Sequence, residues 1–328
     1  MKICILDPGL QNQDRTPSLN LGDLIIQEAV NRELGALFPQ ASLLRFSTHA
    51  ALDVEQLQQL AGCDLILVGG TNLLSSRMSI RNRSSQWAIN AWDALRIRRA
   101  VLLGVGWQSY QSGVTLLARI DLRLALSSKM PHSVRDAYTH NQLAAAGFKN
   151  VINTGCVTMW PFVDFDFATI PSAKADHVLV MLTDYDKNPE SDRALLGALA
   201  HYYHKVLAWP QGAEDERYFR ELDFAGVMLP RSLDGLDELL RSSINFDYIG
   251  TRLHGGIRCL LNRRRSLILE IDNRAAEIAR ETGLPTARRG DIARIEQWIK
   301  EPSSLRITMN SDAIARWRTR ISSVWPLR

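Results

Sequence analysis

The chain has 328 residues, 46% hydrophobic and 23% charged, with 39 basic against 35 acidic side chains and a net charge of +4. It is too long for one ordinary domain and too close to neutral for a dedicated nucleic-acid binder, so two globular domains and no nucleic-acid partner are expected. Cys4, Cys63, Cys156 and Cys259 form no CxxC pair, which excludes zinc-site spacing and reads as four reduced, mostly buried thiols of a cytoplasmic protein; no apolar run is long enough to span a membrane.

In the first half, short apolar runs stand at Ile3–Leu6, Leu43–Phe46, Asp64–Val68, Val101–Gly104, Ser133–Arg135 and Val151–Asn153. Most lack in/out alternation, as strands do when helices cover both faces of a parallel sheet. Between them lie amphipathic segments. In Asp23–Leu34, Ile26, Val30 and Leu34 share one helical face; Asn141–Ala146 and the stretch after Val114 look alike. Strand alternating with helix predicts right-handed βαβ units in a doubly wound sheet.

The pattern restarts in the second half. Strands are predicted at His177–Leu182, Lys205–Trp209, Gly226–Leu229, Asp247–Gly250 and Leu267–Ile271. Helices are predicted at Asp192–Tyr202, Leu233–Arg241, Gly255–Leu261 and Arg274–Thr282. Asp164–Ala175, flanked and interrupted by Pro161 and Pro171, reads as the linker. The expected domains are therefore residues 1–168 and 169–328, each Rossmann-like. A last amphipathic stretch, Ala313–Ile321, is counted with the second domain, although it could pack back on either.

The sharpest chemical signal is Gly250-Thr251-Arg252-Leu253-His254-Gly255-Gly256, a strand end running into a helix start. Unpaired N–H groups and the positive end of the helix dipole favour an anion there. Arg252 adds a fork suited to carboxylate or phosphate, and His254 adds a group that exchanges protons near neutral pH. The bland alternative is a capping histidine with Arg252 in a surface ion pair. His132-Ser133-Val134-Arg135-Asp136 is a second strand-to-helix junction, with Asp136 placed as the helix cap and Arg135 aimed at the same cleft; a surface Arg135–Asp136 pair is its alternative. Gly69-Gly70-Thr71-Asn72 follows a strand and offers bare backbone to a ligand, or simply turns. Leu21-Gly22-Asp23 opens the first long helix, where capping explains most of it.

No P-loop, GxSxG elbow or HExxH is present. His201 and His204 read as two partly exposed histidines rather than metal ligands. Asp184-Tyr185-Asp186 reads as a solvated turn. Arg263-Arg264-Arg265 reads as a solvated helix end, with contact to an anionic acceptor or a membrane surface as the alternative. Trp107, Trp160 and Trp209 lie near predicted strand ends, where either sugar stacking or core packing accounts for them.

Taken in order, Leu21-Gly22-Asp23, Val68-Gly69-Gly70-Thr71-Asn72, Ser133-Val134-Arg135-Asp136 with Leu143 and Gly147 downstream, Gly155-Cys156, Arg252-Leu253-His254-Gly255 and Asp272 resemble the polysaccharide pyruvyl transferase family. The resemblance runs from about residue 20 to about residue 290. It implies an α/β fold of GT-B type, two Rossmann-like domains with mostly parallel sheets facing across a cleft, the first on the acceptor side and the second on the donor side. It also implies an enzyme that moves the pyruvyl group of phosphoenolpyruvate onto two hydroxyls of a sugar as a ketal, with release of phosphate. Phosphoenolpyruvate enters as donor substrate and no cofactor is called for. The acceptor would be a sugar or lipid-linked oligosaccharide of a polysaccharide such as an exopolysaccharide, met in the cytoplasm or at the inner face of the membrane. By the same resemblance His254 and Arg252 are the catalytic residues. Arg135, Ser133, Leu253, Gly255, Gly69, Gly70, Thr71, Asn72, Gly22 and Asp23 would bind substrate. This chain departs from the family pattern at Val68, at Val157 and at Asn273-Arg274. Two other readings fit the residues: a GT-B glycosyltransferase using a nucleotide sugar, with Glu270 or Asp272 holding the ribose, and a non-catalytic protein that binds an anion or a glycan.

Overall fold

The computed structural model describes residues 1–78, 86–89, 91–97 and 99–323, with no account of the side chains of residues 91 and 92. The chain forms two compact units. Unit 1 contains Met1–Ser18, Ile26–Val163 and Met309–Arg328; unit 2 contains Leu19–Ile25 and Asp164–Thr308. The crossover thus lies five residues before the expected boundary at 168/169, and the C-terminal segment belongs to the first unit rather than the second.

Unit 1 runs β1 (Lys2–Asp7), α1 (Leu21–Leu37), β2 (Ser42–Ser47), α2 (Val54–Ala61), β3 (Leu65–Gly69), α3 (Ala91–Ile97), β4 (Val101–Leu103), α4 (Leu116–Ala125), β5 (His132–Val134), α5 (Ala137–Ala145) and β6 (Val151–Asn153). The first turn of α1, as far as Ile25, groups with unit 2. The main sheet has the order β2-β1-β3-β4, all parallel, and β5 pairs in parallel with β6. A bridge between Val105 and Val134 and a 3.0 Å bond from the Gly104 N–H to the Ser133 carbonyl lay β5 beside β4. Cys4, Leu6, Ile66, Val68 and Leu102 face one hydrophobic core, while Ile3, Ile5, Leu65, Leu67, Val101 and Leu103 face another. Burial on both faces is why these strands carry no alternation. All four cysteines are free and buried.

Unit 2 runs β7 (His177–Met181), α6 (Pro189–Tyr202), β8 (Lys205–Ala208), α7 (Asp215–Glu221), β9 (Val227–Met228), α8 (Leu233–Arg241), β10 (Phe246–Gly250), α9 (Leu253–Leu261), β11 (Ser266–Glu270), α10 (Asn273–Thr282), β12 (Thr286–Arg288) and α11 (Ile292–Lys300). Its parallel sheet has the order β12-β11-β10-β7-β8-β9. The chain starts in the middle at β7, winds out to β9, then returns beside β7 with β10. The carboxyl ends of β7 and β10 therefore mark a topological switch point, where open α/β sheets bind ligands. In unit 1 the same reversal falls between β1 and β3. Both units are α/β and Rossmann-like, the composition expected of a GT-B-type chain.

The last helix, α12 (Ser311–Ser323), buries Ala313, Ile314, Trp317 and Ile321 in the second core of unit 1. The Trp317 indole N–H donates to the Pro131 carbonyl at 3.1 Å, its ring meets Trp160 edge-on, and Arg318 pairs with Glu33 of α1. The apolar stripe of Ala313–Ile321 fits this core because the face of the sheet lined by Ile3, Ile5 and Leu67 needs cover.

Of the triple-arginine run, Arg263 is exposed as expected, whereas Arg264 is half-buried and Arg265 is buried. Arg263 bonds to Thr169, Arg264 donates to the carbonyls of Ile244, Leu240 and Ser242, and Arg265 is buried against Asp247 with its ring-like plane over Trp298. Orphan carbonyls at the end of α8 engage Arg264, and those at the end of α11, together with Asp247, engage Arg265. Among the described residues no helix is long and apolar enough to cross a membrane.

Two stability outcomes are expected. Trp317→Ala removes a fully buried indole from unit 1 and should cost roughly 3–5 kcal/mol in urea unfolding; a cost below about 1 kcal/mol would show that α12 is dispensable. His132 is buried and neutral: its Nδ1 accepts from the Leu102 N–H at 3.3 Å, and its Nε2–H donates to the Ser127 carbonyl at 2.7 Å. Burial pushes its pKa from 6.5 down to about 4. Between those values the unfolded chain takes up a proton that the folded chain refuses, so stability falls with acidity across that window and is unaffected above it. The loss should approach about 3 kcal/mol and be absent in His132→Gln, as measured by urea unfolding at neutral and mildly acid pH.

Candidate functional site

In unit 1 the expected residues gather past the carboxyl ends of β3, β4 and β5. Gly69 sits at the switch point, where an added Cβ would press on Pro8 at 3.3 Å. Gly70 lies against the backbone of Leu103 and Gly104, so a side chain there would strike the Gly104 carbonyl. The Thr71 carbonyl accepts from the Gly106 N–H at 2.9 Å, and the Arg135 N–H bonds to the Val105 carbonyl at 3.1 Å. These bonds place Gly106 directly beneath the Arg135 guanidinium, with no room for a Cβ.

Arg135 is almost wholly buried, at 2% exposure. Its Nε donates to Asp136 Oδ2 at 3.1 Å, while Asp136 Oδ1 caps α5 by accepting from the Thr139 N–H at 2.7 Å. The Arg135–Asp136 pair therefore exists, but in the interior rather than on the surface. Nη1 and Nη2 of Arg135 have no protein partner, and neither has the buried Oδ1 of Asn72. Two unsatisfied guanidinium nitrogens in the interior are costly unless a ligand meets them, and the fork geometry suits a carboxylate or phosphate. Ser133 differs from the expectation. Its hydroxyl accepts from the Gly104 N–H at 2.9 Å and bonds to Thr154 Oγ1 at 2.6 Å, so it fastens β5 to its neighbours and is not open to substrate.

In unit 2 the switch point carries Arg252, Leu253, His254 and Gly255. The helix α9 begins at Leu253, two residues before the expected start, so His254 lies inside the first turn and Arg252 is the cap residue with no side-chain cap bond. Arg252 is not in a surface pair. Its Nε donates to Asp215 Oδ2 at 2.9 Å, and its Nη2 donates to Asp184 Oδ1 at 3.0 Å and to Asp215 Oδ1. Asp215 also accepts from the backbone N–H groups of Gln211, Gly212 and Asp184. Burial pushes the Asp215 carboxyl up from the usual range, and the Arg252 charge opposes that shift. The Arg252 carbonyl accepts from the Tyr248 hydroxyl at 2.8 Å. With two carboxylates on Nε and Nη2, that edge of Arg252 holds the β10–α9 turn instead of presenting a free fork to a donor. Asp184 is correspondingly part of this cluster, while Tyr185 and Asp186 of the same turn are exposed as expected.

Gln211, which the sequence reading passed over, ties further expected residues together. It follows β8 and is buried, and an added Cβ on Gly22 or on Gly255 would approach its amide at 2.6 and 3.3 Å. Its backbone carbonyl accepts from the Leu21 N–H, and its Nε2 donates to Asn20 Oδ1 at 3.1 Å. Gly22, Gly255 and Gln211 thus meet in unit 2, with Gln211 Oε1 lacking a protein partner. Asp23 is buried in the first turn of α1. His254 and Leu253 are buried in the first turn of α9. The signal for Asp215 and Gln211 was present as Pro210-Gln211-Gly212 after an apolar run, the same strand-then-glycine pattern that marked Gly69 and Gly70. Asp272 caps α10 and pairs with Arg274, and Glu270 accepts from the Thr286 hydroxyl. Trp107, Trp160 and Trp209 are buried, so core packing accounts for all three. Among the described residues no group of three or more His, Cys, Asp or Glu is placed to hold a metal ion.

The profile of the polysaccharide pyruvyl transferase family matches residues 20–273. The chain belongs to this family. It is a transferase of polysaccharide synthesis. No curated protein matches the sequence. Among solved structures, the S. aureus MnaA-UDP co-structure is similar with a TM-score of 0.52 at 9% identity, covering 98% of this chain and 96% of that one. The apo form of the lipopolysaccharide outer core galactosyltransferase WaaB gives a TM-score of 0.49 at 9% identity, covering 92% of this chain and 89% of that one. At such identity the first likeness concerns the fold alone.

The Arg252 cluster yields a direct test. Asp215→Ala leaves a buried guanidinium short of its main partner and should cost about 3–5 kcal/mol, whereas the paired change Asp215→Leu with Arg252→Met should recover most of that loss. Equal losses in both variants, measured by urea unfolding, would mean that the ion cluster does not hold the turn.

Proposed function

We propose that this protein transfers the pyruvyl group of phosphoenolpyruvate to a sugar of a polysaccharide or its precursor, forming a cyclic ketal and releasing phosphate. The observation that carries the reading is Arg135: a family member has a buried guanidinium with two nitrogens awaiting an anion. Phosphoenolpyruvate, with a carboxylate and a phosphate on one small carbon frame, answers that requirement.

The reaction fixes what the residues must do. One sugar hydroxyl adds to C2 of the donor while C3 takes a proton and becomes the methyl group. The C2–O bond to phosphate then breaks, and the second hydroxyl closes the ketal. One hydroxyl proton is balanced by C3, the other leaves with phosphate. His254, held in the first turn of α9, is the proton-transfer residue in this scheme. Arg135 binds the donor's anionic groups, and Arg252, through Asp215 and Asp184, sets the position of the turn that bears His254. The amino end of α9 favours negative charge as it develops near that turn.

Phosphate release from phosphoenolpyruvate with a library of sugar acceptors tests the reading. Acceptor-dependent release is expected, and His254→Gln should lower it by about 10²-fold or more while the thermal shift caused by phosphoenolpyruvate persists. Gly106→Ala, which displaces the Arg135 guanidinium, should abolish that thermal shift at a cost of about 1–3 kcal/mol in stability of the free protein. If nucleotide sugars raise the melting temperature and phosphoenolpyruvate does not, the donor assignment is wrong.

A further inference from the structure

The helix pair α3–α4 of unit 1 carries apolar side chains on both of its faces. Ala118, Asp121, Leu122 and Ala125 of α4 turn inward. The outward face should then be polar. Instead Leu116, Leu117 and Ile120 stand 71%, 52% and 42% exposed, with Tyr110 just upstream at 56% and Leu95 exposed on α3, which packs against α4. The fold does not need these side chains for its core, and contiguous exposed apolar groups mark an interaction surface.

The stretch of sequence that carries them is basic. From Leu65 to Arg135 the chain holds ten Lys or Arg and only two acids, a surplus of eight where the whole chain has a surplus of four. Both acids, Asp93 and Asp121, are buried. Arg96 and Arg123 are exposed and Arg119 is half-buried, while Asp93 and Asp121 lie inside. A second copy of the same surface would bring arginine against arginine. A bilayer carrying anionic headgroups accepts both features, the leucines at the acyl boundary and the arginines among phosphates.

We propose that the outer face of α3 and α4 docks this protein on an anionic lipid bilayer, with Leu116, Leu117 and Ile120 entering the interface and Arg119 and Arg123 facing the headgroups. A lipid-linked sugar would then be met at the surface where the protein rests. The inference is independent of the donor chemistry.

Flotation of the full chain with vesicles of phosphatidylcholine, with and without phosphatidylglycerol, tests it. Binding is expected only to the vesicles with phosphatidylglycerol and should weaken as salt is raised. Leu117→Glu with Ile120→Glu should reduce binding by roughly ten-fold or more, with unchanged circular dichroism, melting temperature and phosphate release on a water-soluble acceptor. Arg119→Gln with Arg123→Gln should weaken binding and flatten its salt dependence. No binding to anionic vesicles at low salt, or undiminished binding by the leucine–isoleucine variant, would overturn the proposal. So would a concentration-dependent dimer that the same variant abolishes, since a second copy would then be the occupant. Loss of phosphate release with intact vesicle binding would count against the donor chemistry alone.

Discussion

Taking an arginine out of water costs several kcal/mol unless its charge and its five N–H groups are met. The two motif arginines answer that constraint in opposite ways. Arg252 is met by protein, since Asp215 and Asp184 bond to its Nε and Nη2 and Asp215 in turn gathers three backbone N–H groups. Arg135 is met only in part, since Asp136 takes Nε and leaves Nη1 and Nη2 without a partner. A cation satisfied from within makes a rigid turn. A cation left half-satisfied makes a place for an anion. The architecture past the strand ends follows from this division: Gly212 gives way to Arg252, and Gly106 gives way to Arg135.

Parallel sheets put those arginines where they are. Each unit starts in the middle of its sheet, winds outward and returns, so the loops after neighbouring strands diverge at one place. Every loop there leads from a strand's carboxyl end toward a helix's amino end, so backbone N–H groups and helix dipoles point the same way. Glycines are needed wherever two such loops approach: Gly70 against Gly104, and Gly255 against Met181 and Gln211. The apolar sheet below supplies the dry floor on which these few polar contacts are strong.

Much of this is written locally in the sequence. The strands of both units appear as apolar runs because burial on both faces removes any polar alternation. The helix α1 is visible through Ile26, Val30 and Leu34, all of them buried. The helix α2 has a capping box of Asp53 and Gln56 but shows no apolar stripe in the sequence, since only Leu57 and Leu60 of its short span reach the core. The short edge strand β12 has no apolar run to show. What the sequence conceals is pairing at long range. Asp184 and Asp215 lie 68 and 37 residues from Arg252, and nothing near Asp184 distinguishes a half-buried partner of an arginine from an acid on a turn. The same holds for Arg264 and Arg265, whose partners are distant carbonyls and, for Arg265, Asp247, and for Ser133, whose hydroxyl looks the same whether it meets a sugar or Thr154. The family motifs located the right loops, and the contacts within those loops needed the fold.

The return of the chain to unit 1 bears on how the molecule is made. The core that α12 closes with Trp317, Ile314 and Ile321 also contains Ile3 and Ile5 of the first strand. Synthesis therefore delivers β1 before unit 2 and its covering helix α12 after it. Unit 2, from Asp164 to Thr308 with the already emerged Leu19–Ile25, has its whole complement of strands before Met309 leaves the ribosome. Unit 1 is therefore completed only after unit 2, and until then one face of its sheet stays open to chaperones and to other nascent chains.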